Sequence, residues 1–121
     1  AYPTVLMFSL GSTHSYYLYG SPVDMRKSFD GLCGLVRNHL DKDPSSGVVY
    51  VFLNRGRNLI KLLHWEQGGY VQYYKRLEQG TFTPPEKTQT GGPIRWPELV
   101  MMAEGILLQG YKQKKRYQNR V

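Results

Sequence analysis

Residues 48–77 read VVYVFLNRGRNLIKLLHWEQGGYVQYYKRL, a stretch that parses as three strands joined by two short turns. The run 48–53 is continuously apolar, as a strand near the middle of a sheet is. Asn54, Arg55, Gly56 and Arg57 make the first turn, 59–65 returns as a second strand, 66–69 turns again, and 70–77 is the third. Turns this short join antiparallel neighbours, so the spacing predicts a β-meander. Alternation puts Leu59, Lys61, Leu63 and Trp65 on one face of the second strand and Ile60, Leu62 and His64 on the other. The second set is the cleaner core face, which leaves Lys61 and Trp65 on an open side.

Outside this stretch, residues 15–19 are Tyr-rich and read as a strand closed by Gly20, Ser21 and Pro22. Asp24 suits a helix N-cap, and Phe29, Leu32, Cys33, Val36 and Leu40 follow at helical spacing, predicting a helix from about residue 25 to 39 or 40. Asp43, Pro44, Ser45, Ser46 and Gly47 stop it. Thr81 and Phe82 extend the strand pairing before Pro84 and Pro85 break it, and 83–93 reads as an exposed loop. Pro97 opens a last helix over 97–110 with Leu99, Met102, Ala103 and Ile106 as its stripe; 111–121 reads as a flexible basic tail. The expected fold is α+β: one domain over 7–110, a small antiparallel meander with an N-terminal and a C-terminal helix packed mostly on one face.

Composition narrows the function. At 121 residues, 40% hydrophobic and 21% charged, the chain is one soluble domain's worth. No apolar run approaches the roughly 20 residues that span a bilayer. The first ten residues lack the positive start and small-residue cleavage site of a secretory signal. Cys33 is the single cysteine, which excludes an internal disulfide or a Cys-cluster metal site and makes a cytoplasmic home the expectation.

The net charge is +7 and unevenly placed: no acid follows Glu104, while Lys112, Lys114, Lys115, Arg116 and Arg120 crowd the end. Arg55, Arg57, Lys61, Lys75 and Arg76 are interleaved with Trp65, Tyr70, Tyr73 and Tyr74. Cations on a sheet beside flat aromatics suit a polyanion with regularly spaced charge and stackable bases, so DNA is the first partner to test. The alternatives are an acidic protein or a merely solvated face; lipid is the weakest. Trp65 is either a stacking platform or the closure of a sheet edge, with Lys61 snorkelling past it. Arg26 and Lys27 fall in the first turn of the expected helix, where free N–H groups and cations would form a phosphate corner. Local pairing of Arg26 with Asp30 and of Lys27 with Asp24 explains the same pattern.

The residues argue against catalysis. The nine acids show no converging set for metal-assisted phosphoryl transfer. His14, His39 and His64 lack metal-ligand spacing, Cys33 falls on an apolar helix face, and no Gly-rich phosphate loop or nucleophile elbow occurs. The reading is a non-enzyme without cofactor or metal.

The segment Pro22-Val23-Asp24-Met25-Arg26-Lys27-Ser28-Phe29-Asp30-Gly31-Leu32 resembles the signature of the TnpB-type accessory proteins of the insertion sequence 66 family. Val51-Phe52-Leu53-Asn54-Arg55-Gly56-Arg57, Lys61-Leu62-Leu63-His64-Trp65 and Tyr74-Lys75-Arg76-Leu77-Glu78-Gln79-Gly80-Thr81-Phe82 follow in the family's order. The Tyr-rich opening and Met101-Met102-Ala103-Glu104-Gly105-Ile106 look most like versions from Bacteroides-type bacteria. The resemblance implies a start near Met7, with residues 1–6 upstream or added sequence. It also implies a protein encoded beside a separate, larger transposase that assists transposition. Two readings follow. In the first the chain binds DNA, with Arg26, Lys27, Arg55, Arg57, Lys61, Lys75 and Arg76 on phosphates, Trp65 stacking, and Lys114, Lys115 and Arg116 in the tail adding charge. In the second it is an adaptor of the transposase, resting on its aromatic and Arg content and a docking helix near the C-terminus.

Overall fold

The computed structural model of the chain describes residues 10–104. In chain order the elements are β1 (Tyr16–Leu18), α1 (Phe29–His39), β2 (Val49–Leu53), β3 (Leu59–Glu66), β4 (Gly69–Arg76), a 3-10 turn (Glu86–Thr88), β5 (Gly92–Ile94) and α2 (Trp96–Ala103). The strands form one five-stranded sheet ordered β4-β3-β2-β1-β5. β2 is central, and all five of its side chains are buried, as its unbroken apolar run predicts.

β2, β3 and β4 are the expected antiparallel meander. Gln67 and Gly68 both take positive φ (45° and 87°), the handedness a two-residue hairpin needs, and this fixes Lys61 opposite Tyr74. β1 departs from the meander. It runs parallel to β2, so α1 is a crossover, and β5 adds antiparallel to its other side. The class is α+β with a mixed, mostly antiparallel sheet. β5 and the 3-10 turn also replace most of the exposed loop expected over 83–93, with Thr88, Gly92 and Ile94 buried. Phe82 does not extend the meander. It is buried in the core while its N–H donates to the Arg57 carbonyl at 2.7 Å.

The helices do not share a face. Val49, Val51, Leu53, Ile60 and Leu62 pack with Leu99 and Met102 of α2, whereas Tyr50, Phe52 and Leu63 pack with Leu32, Cys33 and Val36 of α1. The physical reason lies in β2 and β3, which carry large apolar side chains at both parities. Each is worth about 1.5–3 kcal/mol when taken out of water, so both faces need a cover.

α1 begins at Phe29, four residues later than expected, with Ser28 rather than Asp24 at its N-cap position. Asp24 is engaged elsewhere: its Oδ1 accepts the Arg26 N–H at 2.9 Å, and the Lys27 N–H closes back on the Asp24 carbonyl at 3.0 Å. This local turn competes with helix for the same backbone groups. α2 starts at Trp96, with Pro97 in its first turn. The remainder of the predicted helix over 105–110, the basic tail with Lys114, Lys115 and Arg116, and residues 1–9 lie outside the described residues.

Candidate nucleic-acid interface

Two loops far apart in sequence meet at one end of the sheet. The Pro22–Arg26 turn before α1 and the Asn54–Gly56 turn between β2 and β3 line an open cleft of about 730 Å³, floored by Leu59 and Tyr74. The Val23 N–H donates to the Leu53 carbonyl at 2.9 Å, which ties the first loop to the end of β2. Asn54 builds the second: its Oδ1 accepts the Leu59 N–H at 2.9 Å, and its amide donates to Asn58 at 2.8 Å. Arg55 is thereby presented to solvent at the tip.

Arg26 is the other cation of the cleft. Its guanidinium is 91% exposed and forks onto the Asp24 carboxylate, Nη2 to Oδ2 at 2.6 Å and Nε to both oxygens at 3.1 and 3.0 Å. Hydrogen bonding from Arg26 holds the Asp24 carboxyl well below the usual carboxylate range, at about 2. Local pairing of Arg26 thus exists, with Asp24 and not with Asp30. Lys27 is exposed and stands just before the N-cap Ser28 rather than in the first turn of the helix.

Lys61 is the largest correction. It is 3% exposed, not on an open face. Its ammonium donates to the Met25 and Lys27 carbonyls at 2.8 and 2.7 Å and sits 4.5 Å from the centroid of the Tyr74 ring. The cause is α1 and its preceding loop, which cover the face that the single-sided meander left open. Desolvation lowers the Lys61 pKa. Lys61 therefore fastens the Arg26 loop to the sheet from beneath, and Tyr74, 52% exposed, roofs it. Neither the loop contact nor the ring contact has a sequence signal beyond the Lys61–Tyr74 register.

The remaining candidates divide. Arg76 shares the α1 face with Tyr74 by alternation, lies opposite Leu59 of the cleft, and pairs with Glu78 at 2.9 Å with both side chains largely exposed. Arg57, at φ 57°, donates to Gln89 Oε1 at 3.0 Å and lines an adjoining hollow with Leu18 and Pro84, one that shares Pro22, Asn54 and Arg55 with the cleft. The Lys75 ammonium donates to the Ala103 carbonyl at 2.9 Å, at the end of α2 on the opposite face. Trp65 is half-buried edge-on against Tyr70, centroids 4.9 Å apart. The structure thus brings Arg26 and Arg55 together on one cleft with Tyr74, keeps Arg57 beside Arg55 in an adjoining hollow, and sends Lys75 to the opposite face.

On the other face His64 is buried with its ring 4.9 Å from that of His14, and its Nδ1 is 3.3 Å from Glu66 Oε2. Spacing of 50 residues hid this pair from the sequence. Among the described residues no group of His, Cys, Asp and Glu could hold a metal ion, and no helix is long and apolar enough to cross a membrane. Cys33 is buried in the α1 core.

Residues 14–113 match the family model described as IS66 Orf2 like protein. Two proteins of Sinorhizobium fredii (strain NBRC 101917 / NGR234) are similar. Uncharacterized protein y4jC is 36% identical over 67 residues, 54% of this chain and 57% of that protein. Uncharacterized protein y4hO is 29% identical over 101 residues, 83% of this chain and 87% of that protein. The match to the first thus spans little more than half its length. No solved structure matches the chain significantly.

Proposed function

The chain belongs to the IS66 Orf2-like family, and from that premise we propose that it assists transposition as a non-catalytic factor that grips DNA phosphates through the Arg26–Arg55 cleft. The observation that carries this reading is the convergence of two exposed guanidiniums from separate loops on one cleft beside a half-exposed Tyr ring. Guanidiniums fork onto phosphate oxygens, and an exposed ring offers a stacking surface to an unpaired base. The net charge of +7 supports it by raising the encounter rate with a polyanion. Arg26 is held in reserve: its carboxylate partner is itself solvent-exposed, and a phosphate oxygen competes with Asp24 for the same fork.

A second reading, an adaptor of the separate transposase, is favoured by one observation. Leu62, Val71, Tyr73, Leu99 and Val100 line an apolar groove of about 330 Å³ between β4 and α2. A gel shift on transposon-end duplex separates the two. A shift by this protein alone supports the DNA reading, and Asp24→Asn, which frees Arg26, then binds more tightly. A shift that needs the transposase, with no binding alone at low salt, supports the adaptor and rejects the DNA reading.

A further inference from the structure

We propose that β4 pairs with β4 of a second copy of this chain, joining two sheets edge to edge. Among the described residues β4 is an outer strand of the sheet and one of its two longest, with eight residues in unbroken register against β3. Edge strands are ordinarily guarded by shortness, proline, a bulge or charges along the edge. β4 has no proline and no bulge, and its only charges are at its last two positions, Lys75 and Arg76, which already hold the Ala103 carbonyl and Glu78. Among the described residues, Val71, Tyr73 and Tyr74 are exposed at 36, 36 and 52%, and Val100 of α2 beside them at 36%.

The geometry of the hairpin says which backbone groups find no partner strand among the described residues. The two-residue turn closes on Glu66 opposite Gly69, a hydrogen-bonded pair in such hairpins. Gly69, Val71, Tyr73 and Lys75 therefore bond to β3, and Tyr70, Gln72, Tyr74 and Arg76 aim their N–H and C=O groups outward. An antiparallel copy related by a two-fold axis at Gln72 matches this row with itself: Gln72 meets Gln72 and Tyr70 meets Tyr74. The same register sets Val71 against Tyr73 on the α2 face, an aromatic and β-branched cross-strand pair. It puts Lys75 opposite Gly69, so no like charges face each other although each chain carries +7. A strand without acids and with its cations at one end is thus compatible with its own copy. The long-range repulsion of two basic chains makes the pairing tighten as salt rises, opposite to phosphate binding.

Sedimentation velocity on the full chain over a concentration series tests this, with amide exchange as the second readout. The expected results are a mass of two chains at high concentration and slow exchange at Tyr70, Gln72 and Tyr74. Gln72→Pro, which removes an outward N–H and no bond to β3, and Val71→Lys should each weaken association about tenfold or more with the thermal melt of the monomer retained. A wild-type chain of single mass throughout overturns the proposal. If Tyr70, Gln72 and Tyr74 are nevertheless protected in that monomer, the chain's own ends cover the edge. A dimer that both variants leave intact overturns it as well.

Discussion

The Lys61 ammonium, bonded to two carbonyls of the loop before α1 and lying against Tyr74, holds the Arg26 side of the cleft in place. Lys61→Met keeps the aliphatic stem but removes both donors. It should cost about 1–3 kcal/mol in urea denaturation and speed amide exchange at Lys27. An unchanged midpoint would show the tether to be idle. His64 gives a pH dependence. Burial, and secondarily His14, lowers its pKa, while Glu66 and the Gly47 backbone pull the other way. Below its ordinary value of about 6.5 the unfolded chain takes up a proton that the folded imidazole resists, so stability falls as pH drops through that value. His64→Gln should flatten this slope in pH-dependent melts; an unaltered slope assigns it elsewhere. Legibility at this scale was uneven. Arg55 in a turn and Cys33 in a core follow from local pattern. Lys61 and the His14–His64 pair depend on contacts across long stretches of chain, to which periodicity is blind.

At the scale of elements, strand identity was readable because β2, β3 and β4 are bounded by turn residues and joined by short connections. The helix start was not, since Asp24 suits both an N-cap and a side chain-to-backbone turn, and Arg26 decides for the turn. β5 was hidden because Gly92 and Pro93, two of its three residues, carry little strand propensity; proline is tolerated there on an edge. α2 is set by Glu98, whose Oε1 accepts the Arg95 N–H at 3.0 Å while Oε2 lies 3.5 Å from Lys87 and Arg95. The backbone donor, first among these, lowers the Glu98 pKa. Glu98→Ala should lower stability by about 1 kcal/mol, read by chemical denaturation with α2 amides exchanging faster. No drop in stability would mean that packing of Leu99 and Met102 alone sets the helix.

For the whole molecule, the sheet is a two-sided scaffold. α1 and its loop present cations at one end, while α2 and the β4 edge present apolar surface on the other side. Of the basic residues between 54 and 76, strand alternation and burial send Lys61 and Lys75 to carbonyls. The most direct test of the cleft is the salt dependence of duplex DNA affinity, by fluorescence anisotropy, for the wild type and an Arg26→Ala, Arg55→Ala double variant. Removing one phosphate-bound cation should shallow the plot of log affinity against log salt by about 0.9. If both arginines grip phosphate, the double variant binds more weakly and its slope is shallower by nearly two such steps. Affinity and slope equal to those of the wild type would contradict the cleft as the DNA-binding surface.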